Sequence, residues 1–408
     1  MPTEISGSTG VNKITDGTVV TADIADDAID SAQIAAGAVD DAHLATGITA
    51  SKLTGTLPAI SGASLTGVRD TTGGRKNVII NGSMEIAQRG TTSGSLAASG
   101  GSFNYHCLDR WVYGRNTSSV VTMTQTADAP VGLKHCLQID VTTAEASPSG
   151  YVRVVHRLEG QNIIHFGMGL AGTRYITLSF WHKHTKTGIN TVCFQNWANN
   201  RSYVAEYTQS VSDTWERATI TLTADTTGTW VNTEAGSMLL QWALHSHTTT
   251  SAGSWEAGNK VSTSGQVNHL DSTSNYFRIT GVQMELGSVA TDFEFRSYGE
   301  ELALCMRYYW KHSGDSIIHA GRTISSNRVD AAIHFPVTMR VSPTLNTSTV
   351  THGAVYHNGT SVSPSSPTIA GVHLSTQSMI IRLTCSETIT ANHASTMQIS
   401  VAELDSEL

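Results

Sequence analysis

Seven apolar residues, Ile14, Val19, Ile24, Ile29, Ile34, Val39 and Leu44, recur every five positions without a break near the start of this chain. A five-residue period matches neither the 3.6 of a helix nor the 2 of a strand, so it draws a single apolar face on neither. ADIADDAIDS and AQIAAGAVDD read as two copies of a ten-residue unit, and AHLATGITAS as a looser third. Each five-residue step is then a short extended piece plus a turn, with one apolar side chain aimed at an axis shared with other chains. Units that cannot bury their apolar residues alone have to be stacked or assembled. Residues 11–56 are therefore expected to form a slender oligomeric shaft, the alternative being a disordered acidic tail. Residues 1–68 hold eight acids against two bases, −6 of the net −8, and nothing before Phe103 is aromatic. They lack the material for a compact core of their own.

Turn residues in LPAISGASLTGVRDTTGGRK (57–76) mark a hinge, and beyond it the signals change to short β-rich runs between Gly, Ser, Asn and Thr clusters. NVIING (77–82), RWVYG (110–114), SVVTMTQT (119–126), CLQIDVT (136–142), YVRVVHRL (151–158), YITLSFWHKH (175–184), TVCFQNW (191–197), RATITLTA (217–224), SMLLQWALH (237–245) and YFRITGVQMELG (276–287) are the expected strands. In the last, Phe277 and Ile279 share one face, and Val282, Met284 and Leu286 another. The slip at Gly281 predicts a β-bulge. Ten such runs with no helical pattern between them predict one antiparallel sandwich over 77–298. GEELALCMRYYWKH (299–312) has short-helix spacing with Glu300 and Glu301 at its start. Beyond it, IHFPVTMRV (333–341), PTLNTSTV (343–350), AVYHNGT (354–360), VHLS (372–375), MIIRLTC (379–385) and MQISVAEL (397–404) are further expected strands, with an Asn358–Gly359 hairpin turn. The chain therefore reads as all-β in three parts: 1–76 attachment and shaft, 77–298 sandwich, and 299–408 a smaller β domain at the tip.

Composition excludes several function classes. Charged residues are only 14% of 408, while Ser and Thr number 99 and Gly 36, which favours strands and turns over a helical bundle. A net charge of −8 with no basic run argues against nucleic acid as a partner. There is no apolar run long enough for membrane insertion and no signal-peptide pattern at the N-terminus. Cys107, Cys136, Cys193, Cys305 and Cys385 are widely spaced, without metal-binding spacing, and read as reduced buried thiols of a protein assembled in a cytoplasm.

The repeat GTVVTADIADDAIDSAQIAAGAV, then LPAISGASLTGV, then NVIINGSMEIAQRG with LDRWVY, resembles bacteriophage tail-fibre proteins. GVQMELGSVATDFEFRSYGEELALCMRYYW resembles the module boundary in such proteins, and FPVTMRVSPTL resembles the segment beyond that boundary. The segment with ITLSFWHKH, DTWERATITLT and GVQMELG is similar to jelly-roll carbohydrate-binding modules. The resemblance implies a homotrimeric receptor-binding fibre in the virion tail. Its N-terminus would meet other phage tail proteins, and its C-terminal end a host polysaccharide or lipopolysaccharide. A purely structural fibre component binding other virion proteins is the alternative.

Signatures of catalysis are missing: there is no GxSxG, HExxH, P-loop or kinase pattern, and GMGLAG (167–172) reads as a loop. Glu206, Asp213, Glu216, Asp271, Glu285 and Glu294 are scattered with nothing to pair them for glycoside hydrolysis. No enzyme, cofactor or metal is expected. His182–His184 and His245–His247 are H-x-H pairs, read as surface or interface histidines for want of supporting acids or cysteines. Sugars stack their C–H faces on flat rings while polar side chains bond the hydroxyls, so rings on half-wet loops are the candidates. Trp197 and Tyr203 in NWANNRSY, Trp230 in TTGTWVNT and Trp255 in SAGSWEAGN meet that description, whereas Trp111, Trp181, Trp215 and Trp242 sit in strand patterns and read as core. The expected receptor contact is first Tyr356, His357 and Asn358 at the hairpin tip, then the sandwich loops around Trp197 and Trp230.

Overall fold

The computed structural model describes residues 75–96, 102–346, 351–357, 360–362, 368–385, 388–391 and 393–408. The shaft residues Ile14, Val19, Ile24, Ile29, Ile34, Val39 and Leu44 lie outside the described residues, as does Asn358. The architecture is all-β, with every strand pairing antiparallel.

Strands β1 (Thr92–Leu96), β2 (Ser102–Tyr105), β3 (Trp111–Arg115), β4 (Val120–Thr126), β5 (Cys136–Thr143) and β6 (Tyr151–Glu159) come first. A one-turn helix, α1 (Gly160–Ile163), precedes β7 (Tyr175–His184), β8 (Gly188–Asn196), β9 (Arg201–Gln209), β10 (Glu216–Thr223), β11 (Gly236–Ser246), β12 (Trp255–Ala257) and β13 (Tyr276–Leu286). They build a six-stranded sheet ordered β1-β4-β5-β13-β7-β10 and a seven-stranded sheet ordered β12-β9-β8-β11-β6-β3-β2. Alternation explains the core: Ile176, Leu178 and Phe180 from one sheet meet Phe194, Leu240 and Trp242 from the other, all fully buried.

The bulge expected from the slip in YFRITGVQMELG is present. The β13–β7 register shifts between Thr280 and Gln283, and Gly281 sits at φ +58. The positive φ is what calls for glycine there, and a Cβ would also push on the end of the Leu133 side chain, 2.8 Å away.

Helix α2 (Tyr298–Met306) starts with a capping box in which Ser297 and Glu300 satisfy each other's backbone N–H groups. It feeds a third sheet. Its strands are β14 (Tyr309–Ser325), β15 (Arg328–His334), β16 (Thr344–Leu345), β17 (Thr351–His357), β18 (Thr360–Val362), β19 (Thr368–Val372), β20 (Ser378–Thr384) and β21 (Ala394–Asp405). They are ordered β18-β17-β21-β14-β15-β20-β19, with β16 beside β21. His357 pairs with Thr360 between β17 and β18, and the Asn358–Gly359 turn expected between them lies outside the described residues. A separate core of Trp310, Ile333, Met379, Ile381, Leu383 and Leu404 lies on this sheet.

Several expected strands are corrected. NVIING is not a strand: Val78, Ile79 and Ile80 are buried in a loop, where the Asn77 side chain accepts from Ile79 N and Asn81 bonds the backbone of Ile86 and Asp109. Two asparagines there do what a neighbouring strand would otherwise do. FPVTMRV leaves the sheet after His334, since Pro336 has no N–H to donate. VHLS keeps only Val372 in a strand, and after Met306 the chain turns through Arg307 and Tyr308 into β14 rather than staying helical to His312.

The histidines of the first H-x-H pair are also corrected. His182 and His184 are inside the sandwich, their rings 5.2 Å apart and bonded to Gln209 and Tyr207. His245 and His247 instead bond the carbonyls of Pro148 and Gly150. Trp111 and Trp242 are core as expected, but Trp181 and Trp215 are only half-buried. All five cysteines are buried thiols.

Candidate functional site

β12, with β9 beside it, ends the seven-stranded sheet on one side, and β10 ends the six-stranded sheet. Strand pairing sets Trp255 directly opposite Tyr203, with ring centroids 5.5 Å apart. Trp230, in the loop after β10, meets Trp255 edge-on at 5.6 Å. All three rings pack on the sandwich core and keep part of their surface exposed. Trp230 in its loop and Trp255, expected in a loop but standing at the start of β12, are thus joined into one cluster that sequence spacing does not reveal.

An ion pair holds the cluster in shape. Arg201, the first residue of β9, meets Asp225 through Nε at 3.0 Å and Nη2 at 2.6 Å. The same carboxylate accepts from Trp230 Nε1 at 3.2 Å, and from the N–H and hydroxyl of Thr227 at 3.4 and 3.2 Å. Burial alone pushes the Asp225 carboxyl upward, but Arg201, Trp230 and Thr227 together outweigh it and hold the pKa below the ordinary value. Trp255 Nε1 donates to Thr223 O at 2.8 Å, tying the two sheet edges together. Gly228 sits at φ +78, where a Cβ would be 2.7 Å from Arg201 Cγ, so the loop closes on the arginine stem only with glycine.

Arg201, Asp225, Thr227 and Trp255 line a pocket of about 330 Å³ together with Gly172, Thr173, Thr223 and Thr226, while Tyr203 and Trp230 pack on Trp255 without lining it. Asp225 spends its acceptor capacity on structure, so it positions rather than binds. Arg201 keeps Nη1 uncommitted among the described residues. A half-exposed indole, threonine hydroxyls and one guanidinium donor suit a small polyhydroxylated molecule with an apolar face.

The remaining candidates lie elsewhere. Trp197, in the β8–β9 turn, is 37% exposed but lies on Gly236, where a Cβ would fall 2.4 Å from its ring, and does not line the pocket. Asn196 shapes that turn by accepting from Asn200 N and Arg201 N, both at 3.0 Å. On the third sheet Tyr356 is 42% exposed, whereas His357 is buried: Nδ1 bonds Ser395 Oγ at 3.1 Å and Nε2 accepts from Thr390 N at 3.3 Å. The hairpin tip therefore offers one ring, not a ring and an imidazole.

Sequence spacing gives no notice of Asp225 or of the role of Arg201. TADTTGTW contains a carboxylate two residues before a threonine and five before a tryptophan, a local turn signal, but its partner is 24 residues away. The scattered carboxylates make structural bonds: Glu216 with Ser210 and Val211, Asp271 with Lys186, Glu285 with Thr291, Glu294 with Asn77 N. Among the described residues no group of His, Cys, Asp and Glu is arranged to hold a metal ion, and no helix is long and apolar enough to cross a membrane.

No family model matches the chain, and no curated protein matches it. Similar solved structures include the enzymatically active domain of bacteriophage CBA120 tailspike protein 4, at 14% identity and TM-score 0.27 over 43% of this chain. This chain covers 19% of that domain. Others are the family 11 carbohydrate-binding module of a Clostridium thermocellum cellulosomal cellulase, at 12% identity and TM-score 0.25 over 48% of this chain and 99% of the module. The N-terminal cellulose-binding domain of a Cellulomonas fimi β-1,4-glucanase is similar at 14% identity and TM-score 0.22, over 44% of this chain and 90% of that domain.

Proposed function

We propose that this chain is a phage tail-fibre protein that attaches the virion to its host by holding a cell-surface glycan in the pocket at the sandwich edge. The observation that carries the reading is Trp255, flanked by Tyr203 and Trp230, on the wall of a polar pocket braced by Arg201 and Asp225. An indole with one wet side fits the C–H face of a pyranose, and the threonine hydroxyls and Arg201 Nη1 fit its hydroxyls. The tail-fibre part rests on the resemblance of the N-terminal repeat and of the GVQMELG…RYYW run. On this reading three chains share the shaft, the N-terminal end docks on other tail proteins, and polysaccharide or lipopolysaccharide is the receptor. One weak pocket per chain, repeated three times, gains by avidity, often ~10²-fold or more.

A glycan array probed with the full chain, followed by inhibition of phage adsorption with the same protein, tests the reading. Retention on bacterial surface glycans is expected, and Trp255→Ala should weaken it about tenfold, the loss of roughly 1.4 kcal/mol of contact. Absence of any retained glycan, with Trp255→Ala adsorbing like the parent, would leave the structural fibre component as the better description.

A further inference from the structure

The wall of the edge pocket holds one cation, Arg201, and one anion, Asp225, and they face each other. Arg201 opens β9, and Asp225 follows the end of β10 by two residues. The Asp225 side chain is 2% exposed, and its oxygens accept from Arg201 Nε and Nη2, from Trp230 Nε1, and from the amide and hydroxyl of Thr227. Arg201 keeps 20% of its side chain exposed, with Nη1 alone of its nitrogens left without a partner among the described residues. No further positive charge joins the wall. Arg174, next to Thr173, lays its guanidinium over the Gly167 turn and does not line the pocket. Glu256, next to Trp255, is another acid, held by the Thr250 hydroxyl.

A free guanidinium draws a ligand carboxylate through its planar fork. Arg201 has no fork to offer, because Asp225 fills its Nε–Nη2 edge. A carboxylate arriving at Nη1 would sit on the same guanidinium as Asp225, and like charges within ~4–6 Å disfavour one another. It would also give up its water for a wall whose charges already cancel. A hydroxyl faces neither penalty. It accepts from Nη1 as a neutral group, and it both donates to and accepts from the exposed hydroxyls of Thr173, Thr223 and Thr226.

We infer that the edge pocket selects neutral saccharide units and refuses acidic ones, with Asp225 as the residue that sets the preference. The inference rests on the glycan-binding reading of this pocket and adds the class of its ligand. Asp225 acts through Arg201 as a positioning residue. Its charge turns the arginine from a carboxylate hook into a donor for hydroxyl oxygens.

A glycan array that prints each neutral oligosaccharide beside the form whose C6 hydroxyls are oxidised to carboxylates tests this with the full chain, followed by isothermal titration of the best-retained pair. The neutral member should bind at least about tenfold more tightly. Asp225→Asn should shrink that ratio at least about tenfold, a change that loss of shape alone does not produce, since it weakens both members together. Trp255→Ala should weaken both members, which ties the binding to this pocket. Should Asp225→Asn fail to fold, salt decides in the parent protein. Raising sodium chloride from about 0.02 M to about 0.5 M screens the repulsion, so the acidic member should gain affinity while the neutral member stays level. The inference is overturned by equal or tighter binding of the acidic member, by an unchanged ratio in Asp225→Asn, or by an acidic-member affinity that falls or stays level with salt. Tight binding of both members would leave the glycan-binding reading standing and remove only the preference, whereas retention of neither member of any pair would overturn both.

Discussion

At the junction between the sandwich and the third sheet, Arg110 lies 3.5 Å from the Tyr308 ring centroid and Arg89 3.5 Å from that of Tyr309. Arg110 pairs with Glu407, and Arg89 reaches Asp405 at 3.3 Å and Glu407 at 3.4 Å. Arg307 meets Glu159 at 3.2 Å, and Ile80, Ile86, Cys305 and Tyr308 fill the space beneath. The edge pocket uses the same parts, aromatic rings and an arginine–carboxylate pair, in the opposite sense. At the junction guanidinium groups cover the rings, while at the edge Arg201 turns to Asp225 and leaves the ring surfaces of Trp230 and Trp255 partly uncovered. Recognition belongs where the ion pair stiffens the site without capping its rings, and cohesion where it caps them.

The strongest way to break this contrast is to cut the junction. Glu407 is 5% exposed at its side chain and serves two arginines, so Glu407→Ala leaves Arg110 buried without its acid. A loss of about 3–5 kcal/mol in denaturant unfolding is expected, as for other buried pairs broken on one side. Glu407→Gln, which keeps the shape and one acceptor, should cost less. A loss below about 1 kcal/mol would mean that the two sheets are joined by apolar packing rather than charge.

Acid should separate the two regions next. His156, bonded to Ile80 O beneath the junction, and His269 in the sandwich core are both pushed down to about 3, by burial first and then by Arg110 and Lys186 respectively. The unfolded chain therefore takes up more protons than the folded one below about pH 6.5, and stability falls as pH drops from there towards 3. At pH 5 the cost is roughly 2 kcal/mol for each imidazole. Asp109 opposes this: burial, resisted by Arg89 and Gln88, raises it to about 6, and its protonation returns about 1 kcal/mol between pH 6 and 5. Asp225 is held below its ordinary value, so the pocket keeps its ion pair at pH 5. Calorimetry at pH 7 and pH 5 should thus show a clear fall in Tm, with glycan affinity at 20 °C little changed. Parallel loss of both would show that the pocket depends on the junction.

How far the sequence foretells this structure depends on how local the cause is. The bulge at Gly281 is legible because a two-residue alternation goes out of step within one strand, and α2 because Ser297 and Glu300 cap it three residues apart. NVIING misleads because a buried apolar loop and a buried strand share one composition, and only the Asn77 and Asn81 contacts distinguish them. β9 (RSYVAEYTQ) goes unread because it buries the polar Ser202 and Gln209 along with Val204 and Tyr207, which breaks the apolar alternation and lets the turn signal of NWANN dominate. Loop context picks out Trp230 and Trp255, yet Asp225, which holds Arg201 across 24 residues, leaves no periodic trace. His357 misleads for the same reason, since Ser395 lies 38 residues away and only pairing with β21 brings them together.

The smallest expected effect concerns the hairpin that the sequence alone puts first. Tyr356 is 42% exposed and stands on β17 between Ser361 and Thr396, and among the described residues its hydroxyl has no partner that replacement would strand. Removing a half-exposed ring at a sheet surface changes stability within about 0.5 kcal/mol when no buried partner is orphaned. His357 next to it faces Ser395 and Thr390, so its imidazole is not a second recognition group beside the tyrosine. Tyr356→Ala should therefore leave Tm and glycan retention as they are in the parent protein, while Trp255→Ala lowers retention at nearly unchanged Tm. A phage-adsorption assay with both variants ranks the two surfaces directly. If Tyr356→Ala abolished adsorption and Trp255→Ala did not, the receptor contact would belong to the third sheet, and the uncovered rings at the sandwich edge would be the cap of a core.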